Sequence, residues 1–318
     1  MGGPYHLTGV AAAGSVARAA AAIRLAVEGV PAVLALDAGR HEFVRVPGLP
    51  AEIANQVMLS GDGRRLLLIA PHGTPRHPIL PKPTGLCVHD LATGRQRWYP
   101  GDVDGRDVAV ALSPDGALIA SLCTPWDPDD DSDDSGLAAI GLTDTVTGQR
   151  RRLWATRGGH SAQSTISWSP TGRYIAVTYL VYVADRDDVY CQTSVVDLGG
   201  SVLWQRLDAE IPHASNGAWL DEHRLVAGLD DIVDDEMYRR LVAVDVTTGQ
   251  QHLLVDGARV FPEAVHDSRF IIRENTGRSD PPWVTTNLDY SRPEPLLMVD
   301  RRVTICGFDI ARRANSTH

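Results

Sequence analysis

His160 and His213 stand 53 residues apart, each ahead of a similar apolar run that closes on tryptophan, at Thr165 to Trp168 and at Trp219. Imidazoles can serve as general acid and base or as metal ligands. With a carboxylate from Asp107 or Glu263, such a pair would be the centre of a lyase or a metal-assisted hydrolase. Asn55, Gln56, Gln163, Ser164 and Asn216 fall at comparable places and would supply neutral hydrogen-bonding groups for a ligand. Wet polar residues that do no chemistry are the competing reading.

A second group of candidates is acidic. Asp127, Asp129, Asp130, Asp131, Asp133 and Asp134 lie in one stretch, Asp185, Asp187 and Asp188 in the next, and Asp230, Asp231, Asp234, Asp235 and Glu236 in the one after. Asp127, Asp129 and Asp131 offer carboxylate oxygens of the kind calcium or another divalent metal takes from a single loop. The whole set also suits a basic partner, or simply a solvated surface. Trp126 and Trp283 sit in or beside these stretches, where an indole either caps the loop or stacks on a ligand.

Two markers recur through the chain and define the elements that must position these residues. Aspartates end apolar runs at Asp37, Asp90, Asp144, Asp197, Asp245 and Asp289, and a turn follows each, as in Ala92-Thr93-Gly94 or Thr247-Thr248-Gly249. Upstream in each repeat a second turn joins two short apolar runs: Ser60-Gly61-Asp62-Gly63, Ser113-Pro114-Asp115-Gly116, Ser169-Pro170-Thr171-Gly172, Asp221-Glu222-His223 and His266-Asp267-Ser268. Runs this short and apolar, bounded by turn residues, read as strands.

Each repeat is therefore strand, tight turn, strand, variable loop, strand, tight turn, strand. A four-stranded unit of that size is the blade of a β-propeller. The expected fold is all-β: six antiparallel blades at about 5–50, 51–104, 105–158, 159–210, 211–258 and 259–300, in one domain, with a closing strand at 301–311. The segment from Ala11 to Glu28 has helix-forming composition. Register nevertheless places Ala19 to Val27 on a strand.

The repeats resemble those of the TolB-like propellers, which carry an apolar residue before S-P-D-G, then I-A, then aspartate and T-G. The matching residues are Leu112-Ser113-Pro114-Asp115-Gly116 with Ile119-Ala120, and Trp168-Ser169-Pro170-Thr171-Gly172 with Ile175-Ala176. The resemblance covers about residues 55 to 256. It implies a six-bladed ring; some members accompany a serine peptidase domain. WD-repeat propellers are the nearest alternative, but their Gly-His and Trp-Asp signatures are missing.

Alternation of strands puts the stereotyped tight turns on one face of such a disc and the variable loops on the other. The expected loops are Pro71 to Gly85, Pro125 to Gly136, Val181 to Val189, Leu229 to Arg239 and Asn275 to Pro282. The loop-rich face is the acidic one, and loops on a rigid scaffold are where binding concentrates.

Composition narrows the function classes. The net charge is −10 and Lys82 is the only lysine. That disfavours nucleic acid, whose recognition needs a basic face. No G-x-S-x-G, G-x-x-x-x-G-K-[ST] or H-E-x-x-H motif occurs. Cys87, Cys123, Cys191 and Cys306 are far apart, which implies reduced thiols rather than disulfides or zinc ligands. No uncharged run reaches a membrane span, so a cytoplasmic location is expected. The leading functional expectation is a non-catalytic recognition propeller that binds a protein or small ligand on its loop-rich acidic face, without a cofactor. The alternative is an enzyme at the channel mouth.

Overall fold

The computed structural model describes residues 5–7, 13–27, 30–40, 42–50, 57–71, 84–100, 105–125, 137–157, 159–183, 188–208, 219–233, 236–256, 264–266, 269–273, 283–289, 291, 294–299 and 303–308. In chain order the strands are β1 (Tyr5–Leu7), β2 (Ala19–Val27), β3 (Val30–Asp37) and β4 (Phe43–Arg45), then β5 (Val57–Leu59), β6 (Arg65–Pro71), β7 (Thr84–Asp90) and β8 (Gln96–Pro100). Next come β9 (Gly105–Leu112), β10 (Leu118–Pro125), β11 (Leu137–Asp144) and β12 (Arg150–Arg157), followed by β13 (Gly159–Trp168), β14 (Tyr174–Val183), β15 (Asp188–Asp197) and β16 (Val202–Asp208). The chain continues with β17 (Arg224–Val233), β18 (Glu236–Asp245) and β19 (Gln251–Asp256), then β20 (Ala264–His266), β21 (Arg269–Arg273), β22 (Trp283–Thr286), β23 (Glu294–Val299) and β24 (Val303–Phe308).

These strands form propeller blades. Four sheets have four strands: β24-β2-β3-β4, β5-β6-β7-β8, β9-β10-β11-β12 and β13-β14-β15-β16. A fifth, β20-β21-β22-β23, gains β1 as an extra outer strand. The described residues thus show five complete blades, not the six expected. The remaining sheet, β17-β18-β19, has three strands. Residues 209–218, which precede it, lie outside the described residues. A lone bridge from Trp219 to Leu225 stands where Trp168 pairs with Ile175 one sheet earlier.

Apolar runs are continuous in middle strands whose sheet is covered on both faces by its neighbours. In β6, Leu66 and Leu68 pack with Cys87 against Ala22, Val33 and Ala35 of the preceding sheet. Leu67 and Ile69 point the other way, to Val110, Leu112 and Ile119 of the following one. The next seam sets Ala109, Ala111 and Ala120 against Trp168 and Tyr179, small against large. Packing against the second sheet, with pairing to β3 and β24, makes the alanine-rich β2 a strand. Ala19 and Ala22 are fully buried, and tertiary contact overrides their helix propensity.

The tight turns are cross-linked. Each marker aspartate accepts turn amides on its own carboxylate: Asp144 from Val146 (2.8 Å) and Thr147 (2.6 Å), Asp197 from Gly199 (2.8 Å) and Ser201 (2.9 Å). The residue after the aspartate donates its amide to the other turn of the same sheet, as from Leu91 to Arg64 (3.0 Å), Thr145 to Ala117 (2.9 Å) and Val246 to His223 (2.8 Å). Contacts also run between sheets. Arg65 Nη1 donates to the Gly116 carbonyl at 2.7 Å, and Ser169 Oγ donates to Glu222 at 2.9 Å. Glu222 fills the role that Asp115 plays for Ser113, because Thr171 stands where the turn would have its own aspartate. Two indoles stitch inner strands together: Trp168 Nε1 donates to Ala111 O (3.1 Å) and Trp219 Nε1 to Ser167 Oγ (3.2 Å).

Three features depart from the sequence reading. Tyr5–Leu7 pairs in the last sheet rather than the first, because β24 occupies the inner place of the first sheet, with Ile23 opposite Ile305. Two expected loops are mostly strand: β14 and β15 pair out to Val183 and Asp188, and β17 and β18 pair out to Val233 and Glu236. Asp188, Asp230, Asp231 and Glu236 are therefore strand residues, while 184–187 and 234–235 lie outside the described residues. The outer strands β12, β16 and β19 also carry bulges at Leu153, Leu203 and Leu254. Bulges there break the regular edge that another strand would need.

Gly63 and Gly94 separate packing from backbone strain. Both have positive φ, +68° and +69°. A Cβ on Gly63 would lie 2.2 Å from the Ala19 carbonyl oxygen, whereas one on Gly94 meets nothing within 4 Å. Gly94→Ala should cost about 1 kcal/mol of left-handed strain. Gly63→Ala should cost about 2 kcal/mol or more, since it also pushes apart the turn that accepts the Ala19 amide. Urea denaturation checks the ranking; equal losses would contradict this packing of the turns.

Candidate functional site

The faces of the sheets differ in what their polar groups are already doing. On the tight-turn face the marker aspartates are occupied as acceptors. Asp245 shows it most strongly: a hydrogen bond from the Thr247 hydroxyl, joined by the Thr248 amide, pulls its carboxyl down to about 2. Asp144 is also lowered, by the amides of Thr147 and Val146. For Asp90, burial pushes upward, but the bonds from Thr93 outweigh it and the net shift is down. Carboxylates held ionised by their own turns are structural acceptors.

At the other ends of the inner strands the backbone is irregular. β9 and β13 are the inner strands of consecutive sheets and lie beside each other. In β13, His160 pairs with Leu180 and Thr165 with Thr178. Five steps along β13 thus match two along β14, so three residues of the stretch Ser161 to Ser164 are extra. In β9, Asp107 pairs with Cys123 and Ala109 with Leu122, leaving Val108 extra. Bulges recur beside active sites because they re-aim side chains. Asp107 is the third residue of β9 and His160 the second of β13, so both stand at the loop-face ends of neighbouring inner strands.

Those two positions, with Gln163 and Ser164, are sequence candidates that fall on two neighbouring described strands. Trp283 opens β22, paired with Arg273 and Leu297. Asn55, Gln56, His213, Asn216, Glu263, Trp126, Asp127, Asp129 and Asp131 lie outside the described residues, as does Asp130. Among the described residues no three His, Cys, Asp or Glu side chains gather as a metal site. The bulges were not legible in the sequence. The one available signal was the length of the run from Gly159 to Trp168, ten residues where β5 has three.

Other buried titratable groups belong to the framework. Cys87, Cys123 and Cys191 are buried thiols outside any disulfide, and burial pushes the Cys87 thiol up to about 12. His89 is buried, and desolvation lowers its basicity against the opposing charge of Asp90. No helix among the described residues is long and apolar enough to cross a membrane.

Neither a protein-family model nor a curated protein matches this chain. Solved structures do. Acylaminoacyl peptidase from Pyrococcus horikoshii is 12% identical over 76% of this chain and 40% of its own, with a TM-score of 0.53. The β-propeller domain of the trilobed protease from Pyrococcus furiosus, which has an open velcro topology, is 9% identical over 80% and 76%, at 0.53. The tricorn protease is 10% identical over 91% and 30%, at 0.54. The likeness is one of fold. This chain spans less than half the length of the acylaminoacyl peptidase and tricorn chains.

The occupied turn carboxylates predict an acid limb in stability. Asp245 has a folded value below its unfolded one of about 3.9. Its contribution is thus complete above about pH 4 and lost as pH falls through about 2. Asp245→Asn should be less stable than the parent at pH 7, and should lose less of its remaining stability between pH 4 and 2. Thermal unfolding at stepped pH measures both; parallel acid limbs would contradict the assignment.

Proposed function

We propose that the chain is a six-bladed, TolB-like propeller whose sixth blade is completed by an inner strand within residues 209–218, and whose ring is closed by β24. Its function on this reading is non-catalytic recognition. It binds a basic protein segment or a small ligand on the loop-rich acidic face, and it works in the cytoplasm. The observation that carries the reading is the asymmetry between faces. On the tight-turn side, side chains and amides are spent on contacts within and between blades. In the sequence the acidic residues fall between β10 and β11, between β14 and β15, and from Asp230 to Glu236 across the β17–β18 connection.

A second reading is favoured by the bulges in β9 and β13. They set Asp107 and His160 at one end of adjacent inner strands, where an acid–base pair for lyase or hydrolase chemistry would sit, completed by His213 or Glu263. The peptidase activities of the structural neighbours belong to chains longer than this one and supply no residue roles here.

A decalysine peptide serves as a probe for the recognition reading. The recognition reading expects binding that weakens with salt, and a loss of about tenfold in affinity with a shallower salt dependence when Asp129, Asp130 and Asp131 become asparagine. Stability should change by no more than about 0.5 kcal/mol per substitution. Unaltered binding at low salt in this variant would remove the electrostatic reading. Turnover of a hydrolase or lyase substrate that His160→Ala and His213→Ala abolish, and the loop substitutions spare, would establish the enzyme instead.

A further inference from the structure

His89 is a titratable side chain that the fold encloses almost completely, at 1% exposure, near the end of β7. Successive strand residues alternate between faces, so His89 shares its face with Cys87. Cys87 and Leu91 are buried in the cluster that joins the second sheet to the first, among Ala22, Val33, Val46 and Leu66. Leu66 lies opposite His89 on one side and Gln96 on the other. The imidazole thus stands in the contact between the first two sheets. Gln96 is its polar partner: the side-chain Nε2 donates to His89 Nδ1 at 3.4 Å, and the same NH2 group donates to the Gly48 carbonyl. Gly48 follows β4, in a segment fastened to the first sheet by the Val46 amide on Val33 O (2.9 Å) and by packing of Val46 and Leu49 into the shared cluster. Gln96 and Gly48 are themselves exposed, so Gln96 is the outer cover of the imidazole and ties it to the neighbouring sheet.

This arrangement suits only a neutral imidazole whose Nδ1 accepts, since a protonated ring donates at both nitrogens. With a proton on Nδ1, two donors face each other. Gln96 can answer by turning its amide so that Oε1 meets Nδ1–H. The same turn sets Oε1 against the Gly48 carbonyl, oxygen to oxygen, and the bond between sheets is lost. Burial opposes the charged ring: desolvation lowers the basicity of His89, and the charge of Asp90 restores only part of it. Other charged groups of the packed elements are directed elsewhere. Arg65 and Arg97 donate to Gly116 O and Thr145 O of the third sheet, and Arg45 lies opposite Leu34, on the face away from Val33 and Ala35. Arg40, Glu42, Arg64 and Arg95 are exposed, Asp37 accepts the amides of Gly39 and Arg40, and Arg18 Cγ lies beside Gly63. Arg24 shares the Ala22 face of β2 but stands toward the far end of that strand from Ala19, the residue level with Asp37.

We infer that His89 and Gln96 form a proton-operated tie between the first two sheets, closed while the imidazole is neutral and released when Nδ1 takes a proton. The sign follows from the lowered basicity in the folded chain. The unfolded chain takes up its proton first, near pH 6.5, so stability falls as pH drops from about 6.5 toward the folded value, where the tie itself opens. Acidification therefore loosens this contact well above the range in which Asp245 titrates.

An NMR titration of the full chain from about pH 7.5 to 4.5 reads the tie directly. The His89 ring signals should titrate below about 6.5, and the side-chain NH2 signals of Gln96 should shift with the same midpoint. Hydrogen exchange of a peptide covering Phe43–Leu49, corrected for the intrinsic effect of pH, should rise about threefold across that range, the weight of one hydrogen bond. A peptide covering Leu118–Asp144 should not change. His89→Asn sets a carbonyl oxygen that does not titrate where Nδ1 stands, and should keep the pH 7 behaviour throughout. Gln96 signals that ignore the titration of His89, a midpoint at or above 6.5, or a rise that survives in His89→Asn overturns the inference. If His89→Asn does not fold, Gln96→Leu takes its place: it should show at pH 7 the exchange that the parent reaches only at the acid end, and parent-like exchange at pH 7 overturns the tie.

Discussion

The backbone edge of β2 is the point on which the architecture turns. A strand at the end of a sheet presents unpaired amides and carbonyls, and burying them unpaired is costly. β2 has β3 on one side, and nothing local can serve the other. The partner comes from the far end of the chain: Val303 to Phe308 lies against Ala21 to Leu25. This long-range pairing completes the first sheet with a strand from the other end of the chain.

Once sheets are stacked around an axis, side chains on both faces of each are committed to packing. Function is left to the rims, and the two rims are not equivalent. Around the turns, Arg65 reaches Gly116, Glu222 reaches Ser169 and Arg97 reaches Thr145 O at 2.8 Å. Each of these ties one blade to the next. At the other ends of β9 and β13 the inner strands depart from regular pairing.

Much of this was legible in the sequence because turn chemistry is local. Asp144 followed by Val146, Thr147 and Gly148 specifies its own hydrogen bonds, and Ser113 with Asp115 does the same. The alanines of β2 were harder, since their propensity opposes their structure; only register against Asp37 placed them on a strand. Three things were not legible. A bulge needs a partner strand to be defined, so the extra residues after His160 had no sequence signature. Whether 229–239 was loop or strand depended on cross-strand pairing of polar residues such as Asp230 with Arg239, which an apolar pattern does not register. The place of Tyr5–Leu7 was set by competition with β24 for the first sheet, a contest between segments almost 300 residues apart.

The most direct test of the account is to end the chain after residue 301 and follow urea unfolding. Without β24, the β2 edge is unpaired. The account predicts a lower unfolding midpoint, with recovery when a peptide of residues 301–310 is added in excess. A shortened chain that unfolds at the same urea concentration as the full one, and gains nothing from the peptide, would contradict it.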